Sequence, residues 1–189
     1  STKAPLHVGG GVTITNNGIS FIPTFTLGKP AAIFDLSVGK KLSFEPQFRF
    51  ALEGKPWSFI FWGRYKLVKT EKVAVTLGAH PAILFKTITE TTNGVTKEYI
   101  RAQRNLAAEF SPNYYIAKNI SVGMYYLYGY SLESFAVRNT HFLTLNANFS
   151  RISLPSDFYL KFSPQVYYLS MDRVDGFYCS SAFTLVRKN

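Results

Sequence analysis

Apolar and polar residues alternate with a period of two along most of this chain, and no stripe of helical period is sustained. From Leu42, the set Leu42, Phe44, Pro46, Phe48, Phe50 and Leu52 points one way, and Ser43, Glu45, Gln47, Arg49 and Ala51 the other. The stretch from Trp57 to Leu67 repeats the pattern, with Trp57, Phe59, Phe61, Tyr65 and Leu67 opposite Ser58, Arg64 and Lys66. Residues 72–86, 106–116, 120–130 and 158–168 behave alike. Such alternation predicts β-strands with one apolar face. Turn signals cut the chain into ten of them, at about 18–28, 31–39, 41–53, 56–68, 72–88, 97–117, 119–132, 138–153, 157–171 and 175–187. Residues 18–189 then form one all-β domain, and residues 1–17 a separate N-terminal segment that serves as an extra strand, a plug or a tether.

Five of the predicted strands carry a central proline between bulky residues: Pro23, Pro46, Pro81, Pro112 and Pro164. Proline lacks the N–H that a central ladder uses, so each suits a bulge or a local break. The connections differ in length. Gly39-Lys40-Lys41, Val68 to Glu71, Ala117-Lys118-Asn119 and Leu154 to Asp157 are tight, Thr87 to Thr96 and Ser131 to Asn139 are long, and Met171 to Gly176 is intermediate.

Composition narrows what such a sheet faces. The 189 residues are 47% hydrophobic and 16% aromatic but only 17% charged, which excludes a disordered chain. The longest apolar run falls well short of the roughly 20 residues of a membrane-spanning helix. A soluble barrel with its apolar face inward would show the same period. Against it, the polar face is poor in mixed Lys and Glu and rich in Ser, Thr, Asn, Gln, Gly and Tyr, and the apolar face holds more Phe, Leu and Tyr than a small barrel encloses. Strand ends are aromatic, with Trp57, Tyr65, Tyr114, Tyr126, Tyr128, Tyr130 and Tyr168 expected as interfacial girdles. The fold class that follows is an antiparallel up-and-down transmembrane β-barrel of about ten strands, with eight as the alternative.

On this pattern the chain resembles the small outer-membrane β-barrels of Gram-negative bacteria. Its last strand, with Phe183 and Leu185 on one face, looks like the C-terminal strand that barrel assembly reads, although it ends in Arg187-Lys188-Asn189 and not in an aromatic residue. The resemblance implies an outer-membrane location, both termini in the periplasm, and a leader removed before Ser1.

Candidate chemistry lies on the polar face. A lumen would hold Asp35, Glu45, Gln47, Arg49, Arg64, Lys66, His80, Arg101, Gln103, Asn105, Glu109, Asn113, Asn146, Asn148, Lys161 and Gln165. Buried charges need partners, so Glu45 and Glu109 are expected to neutralise neighbouring bases and plug the lumen. The alternative is a narrow, anion-preferring pore. A second alternative is a lipid-modifying enzyme at the outer rim, with His141 near Ser131, Glu133 and Ser134. Three dispersed His and the single Cys179 suggest neither a metal nor a cofactor. Gly9-Gly10-Gly11 lacks the context of a phosphate loop and is expected as a flexible approach to the barrel.

The net charge of +10, from 21 Lys and Arg against 11 Asp and Glu, has a location. Lys40, Lys41, Lys69, Lys72, Lys118, Arg187 and Lys188 fall at the tight turns or the C-terminus and form a basic periplasmic rim. Without a basic helix or an aromatic–basic reading surface, nucleic acid is a poor partner. Membrane lipids, as phospholipid headgroups and lipopolysaccharide, are the expected ones, together with a larger outer-membrane complex. The expected function is a non-enzymatic structural or accessory subunit of the cell envelope.

Overall fold

A computed structural model describes residues 6–20, 22–92, 94–155 and 157–187. Ten strands form one antiparallel sheet in chain order, each paired with the next: β1 (His7–Thr15), β2 (Ala31–Gly39), β3 (Leu42–Ala51), β4 (Pro56–Lys69), β5 (Val73–Thr92), β6 (Val95–Ala117), β7 (Ile120–Ser131), β8 (Asn139–Ser153), β9 (Phe158–Met171) and β10 (Val174–Arg187). No helix among the described residues is long and apolar enough to cross a membrane, which says nothing of crossing by strands.

Nine predicted segments coincide with strands, and the first does not. The described residues of 18–28 form no strand: Pro23 opens a single 3-10 turn, Pro23–Phe25, where its fixed φ and missing N–H cost nothing. The remaining strand is β1, which contains the glycine run expected to be a flexible approach. Its register sets Val8, Val12 and Ile14 beside Val38, Phe34 and Ala32. At Gly10 an added Cβ would lie 3.0 Å from the Asp35 carbonyl and 3.1 Å from a Leu36 methyl, so this pairing uses the absent side chain.

The expected closure into a barrel is not observed. Among the described residues β1 pairs with β2 alone and β10 with β9 alone, so the sheet keeps two edges. Alternation reports which residues share a face, and that pattern is the same in open and closed sheets. Two connections are shorter than expected. Strands β5 and β6 run on to Thr92 and from Val95, around Gly94 with φ of 77°, and β9 and β10 are joined by Asp172-Arg173, with Asp172 at φ of 51°. Asn93 of the first turn and Lys188 of the basic rim lie outside the described residues.

Contacts divide the chain into two units. The first comprises residues 1–65, 78–108 and 129–138. On its apolar face Phe59 meets Phe48, Phe50 and Phe85 with ring centroids 5.4, 5.4 and 5.0 Å away. On the opposite face Ala31, Trp57 and Leu84 form a small core with Phe25, Leu27 and Ile33. Phe25 and Leu27 come from the β1–β2 connection, which is folded on itself by hydrogen bonds from Gly18 N–H to Lys29 O and from Leu27 N–H to Gly18 O, both 2.8 Å.

Trp57 was expected in the interfacial girdle and is instead buried in this core. The register of β3 on β4 shifts by one residue between Arg49 and Phe50. At a bulge two successive residues oppose one, which accounts for Trp57 and Ser58 both being buried. The indole N–H donates to Phe25 O at 2.8 Å, and the Arg49 guanidinium lies 5.0 Å from the ring.

The second unit comprises residues 66–77, 109–128 and 139–189. Here β8, β9 and β10 align Leu145 with Val166, Phe149 with Phe162, and Phe162 with Phe183 on the apolar face. Phe162 stacks on Phe183 at 4.6 Å. On the other face Phe142 is buried between Tyr125 and Tyr167, at 6.1 and 5.3 Å.

In both units the apolar face is the exposed one. Phe44 is 51% exposed, Leu145 54% and Phe183 64%, whereas His80, Gln103, Asn105 and Glu109 are at most 7% exposed.

Replacing Trp57 by Ala removes a buried ring and its hydrogen bond, for an expected loss of about 3–5 kcal/mol. Limited proteolysis of the variant should cleave within residues 18–29 well before any strand is cut, and a pattern like that of the parent would refute the anchoring role.

Candidate functional site

The largest gathering of predicted polar residues lies on the polar face of the first unit. Strand alternation carries Asp35 from β2, Glu45, Gln47 and Arg49 from β3, and Arg64 from β4 to one side. They line a pocket of about 480 Å³ together with Trp62.

Two chains of contacts run through it. Gln47 donates its amide to Asp35 and accepts from Arg49 Nε at 2.6 Å, so a neutral amide bridges acid and base. Ser43 Oγ donates to Glu45 Oε1 at 2.7 Å, and Arg64 Nη1 reaches Glu45 Oε2 at 2.5 Å. The Arg64 guanidinium lies 4.2 Å from the Trp62 ring, and that ring contacts His80 at 4.0 Å. Two acids thus answer two arginines within one pocket.

Other predicted members form smaller groups. Gln103 Nε2 donates to Asn105 Oδ1 at 2.9 Å in the same unit. In the second unit Glu109 accepts from Tyr125 OH at 2.8 Å, and Gln165 Nε2 donates to Ser180 Oγ at 2.9 Å. Asn113 and Asn146 converge over Gly123, where an added Cβ would collide with the Asn113 amide oxygen and lie 2.9 Å from that of Asn146. Arg101 stands apart, 3.8 Å from Glu90 and over the Phe135 ring at 4.8 Å. Lys161 is exposed, and Lys66 and Asn148 are on β4 and β8.

Ser43 was placed on the polar face but not among the candidate residues, and Trp62 and Tyr125 were not placed there at all. Trp62 has the parity of Arg64, and Tyr125 that of Gly123 under Asn113 and Asn146, so strict alternation extends to both.

The residues considered for a rim enzyme have other partners. Glu133 Oε1 accepts from Arg104 Nε at 2.7 Å, His141 Nδ1 is 2.9 Å from Tyr126 OH, and Ser131 Oγ accepts the Glu133 N–H at 3.3 Å. Among the described residues no three His, Cys, Asp or Glu side chains gather as metal ligands would.

The basic rim residues occupy alternate hairpin turns and a strand end. Lys40 and Lys41 form the β2–β3 turn, with Lys41 5.0 Å from the Tyr65 ring. Lys69 and Lys72 flank the β4–β5 turn, Lys118 is in the β6–β7 turn, and Arg187 ends β10. At the β1–β2 and β3–β4 connections lysines are paired, Lys29 with Glu53 at 3.4 Å and Lys55 with Glu98 at 3.0 Å.

Glu45→Gln should leave the Arg64 guanidinium without its carboxylate and cost about 1–3 kcal/mol. Adding Arg64→Met to it should restore part of the loss, and a thermal midpoint series on the two single variants and the double would reveal no coupling if the pair were incidental.

Arg104 holds the Glu133 carboxyl below its ordinary range, chiefly by the side-chain hydrogen bond. The ionised form is favoured in the folded loop, so the contribution is complete above the usual carboxylate range and is lost as pH falls through the depressed value. Amide exchange across residues 132–138, corrected for intrinsic rate, should therefore rise in acid and become insensitive to pH in Glu133→Gln.

Comparison with known proteins gives no match: no family model, no curated protein and no solved structure resembles this chain.

Proposed function

We propose that this chain is a β-sheet protein of the bacterial outer membrane, acting as a structural or accessory subunit of the cell envelope or of a larger outer-membrane complex. One observation carries the reading: the two faces are inverted relative to a water-soluble sheet. Phe44, Leu145, Val166 and Phe183 are more than half exposed, while Gln103, Asn105 and Glu109 are buried. Soluble monomers rarely expose contiguous apolar patches beyond a few hundred Å², and transmembrane strands alternate apolar-out with polar-in. Lipid acyl chains are the solvent that suits such a face.

The edges support the word subunit. Hydrocarbon does not satisfy the N–H and C=O groups along the outer sides of β1 and β10, so a bilayer requires further backbone there. Phospholipid headgroups and lipopolysaccharide are the expected contacts of the strand ends. An anion-preferring pore has less support, since Arg49 and Arg64 are both engaged by acid or amide partners and a pore needs a closed wall.

Site-directed labels test the reading. In a Cys179→Ser background, a fluorophore on Leu36→Cys or Leu145→Cys should be quenched by a quencher carried on lipid tails, and one on Gln47→Cys or Gln165→Cys should not. Equal quenching at both faces, or protein that stays in solution without detergent, would overturn it.

A further inference from the structure

We propose that the β4–β5 turn and the end of β6 seat the phosphate of an anionic phospholipid, an inference that rests on the membrane reading above. In the second unit these elements form a cleft of about 760 Å³, lined by Lys66, Lys69, Lys72 and Lys118 against one acid, Glu71. Lys66 has a protein partner. Lys69, Lys72 and Lys118 make no ion pair among the described residues, unlike Lys29 and Lys55 at other connections.

The backbone beneath them is braced. Thr70 N–H donates to Val73 O at 2.8 Å, and Val73 N–H returns to Thr70 Oγ1 at 2.9 Å. Tyr115 N–H donates to Lys72 O at 2.8 Å, tying β6 to the turn. Three ammonium groups thus project from a fixed frame, each a compact charge suited to a phosphate oxygen. Near an anionic surface each contributes about fivefold in affinity.

The cleft is also apolar. Val68, Ala74, Ile116 and Ala117 line it between the lysines. A free phosphate has no use for that surface, whereas an acyl chain does. Charge and apolar lining together therefore select a lipid.

The test compares full-length protein with a Lys69→Gln, Lys72→Gln, Lys118→Gln variant in phosphatidylcholine vesicles with and without phosphatidylglycerol, scoring retained lipid by native mass spectrometry. The parent should retain phosphatidylglycerol over phosphatidylcholine by at least about tenfold. The triple variant should lose that preference while still entering phosphatidylcholine vesicles, and Lys40→Gln with Lys41→Gln should keep it. Unchanged preference in the triple variant would overturn the site, and so would equal loss in the Lys40, Lys41 control, which would mark a general charge effect. Complete displacement by inorganic phosphate would assign a free-anion site instead. Failure of the parent to enter vesicles of either kind would overturn the membrane reading and this proposal with it.

Discussion

Antiparallel pairing in register is the constraint on which the rest of the structure depends. Side chains along a strand alternate faces, so a slip of one residue would exchange the whole apolar set for the polar one. Here the register sets Phe34 beside Val12 and Phe48 and sets Asp35 beside Gln47, so neighbouring strands agree on which face is which. In the second unit the same agreement brings Leu145 to Val166 and Asn146 to Gln165. Each added strand thereby enlarges one apolar and one polar surface.

A polar face built this way must satisfy itself. The first unit does so with few residues: Glu45 holds both Ser43 and Arg64, and Gln47 links Asp35 to Arg49. Burial strengthens such contacts and penalises any unmatched charge, which explains why acids and arginines occur together there. The residual charge then lies where water can solvate it, at the hairpin turns. Lys69, Lys72 and Lys118 in the second unit are the clearest examples.

The departures from simple alternation are local and physical. One extra residue on β4, opposite the step from Arg49 to Phe50, takes Trp57 out of the expected aromatic girdle and makes it the anchor for a connection. Nothing in the residues 57–67 announces this, because a bulge changes the partner count of a strand and leaves its composition untouched. Pro23 was legible as a break, yet its flanking apolar residues looked like a strand. Three glycines in β1 hid a real strand, since glycine contributes no side chain to the period. The polar pocket itself was largely legible: five of its lining residues were predicted, and Trp62 was missed only because it is apolar in bulk while facing the polar side.

By itself, the sequence determined an all-β chain, nine of its ten strands, most of the membership of each face and the position of the unbalanced lysines, because all of these follow from residue type and a period of two. Tertiary structure decided what periodicity cannot express. Alternation is blind to which face is buried; composition pointed to the polar one, and the structure buries it and leaves the apolar face exposed. Tertiary structure made Pro23–Phe25 a 3-10 turn where a strand was expected, turned Trp57 inward at a bulge, and left β1 and β10 as edges among the described residues. Each of these depends on which backbone meets which across many residues of chain, and that information lies in contacts and not in the local order of residues.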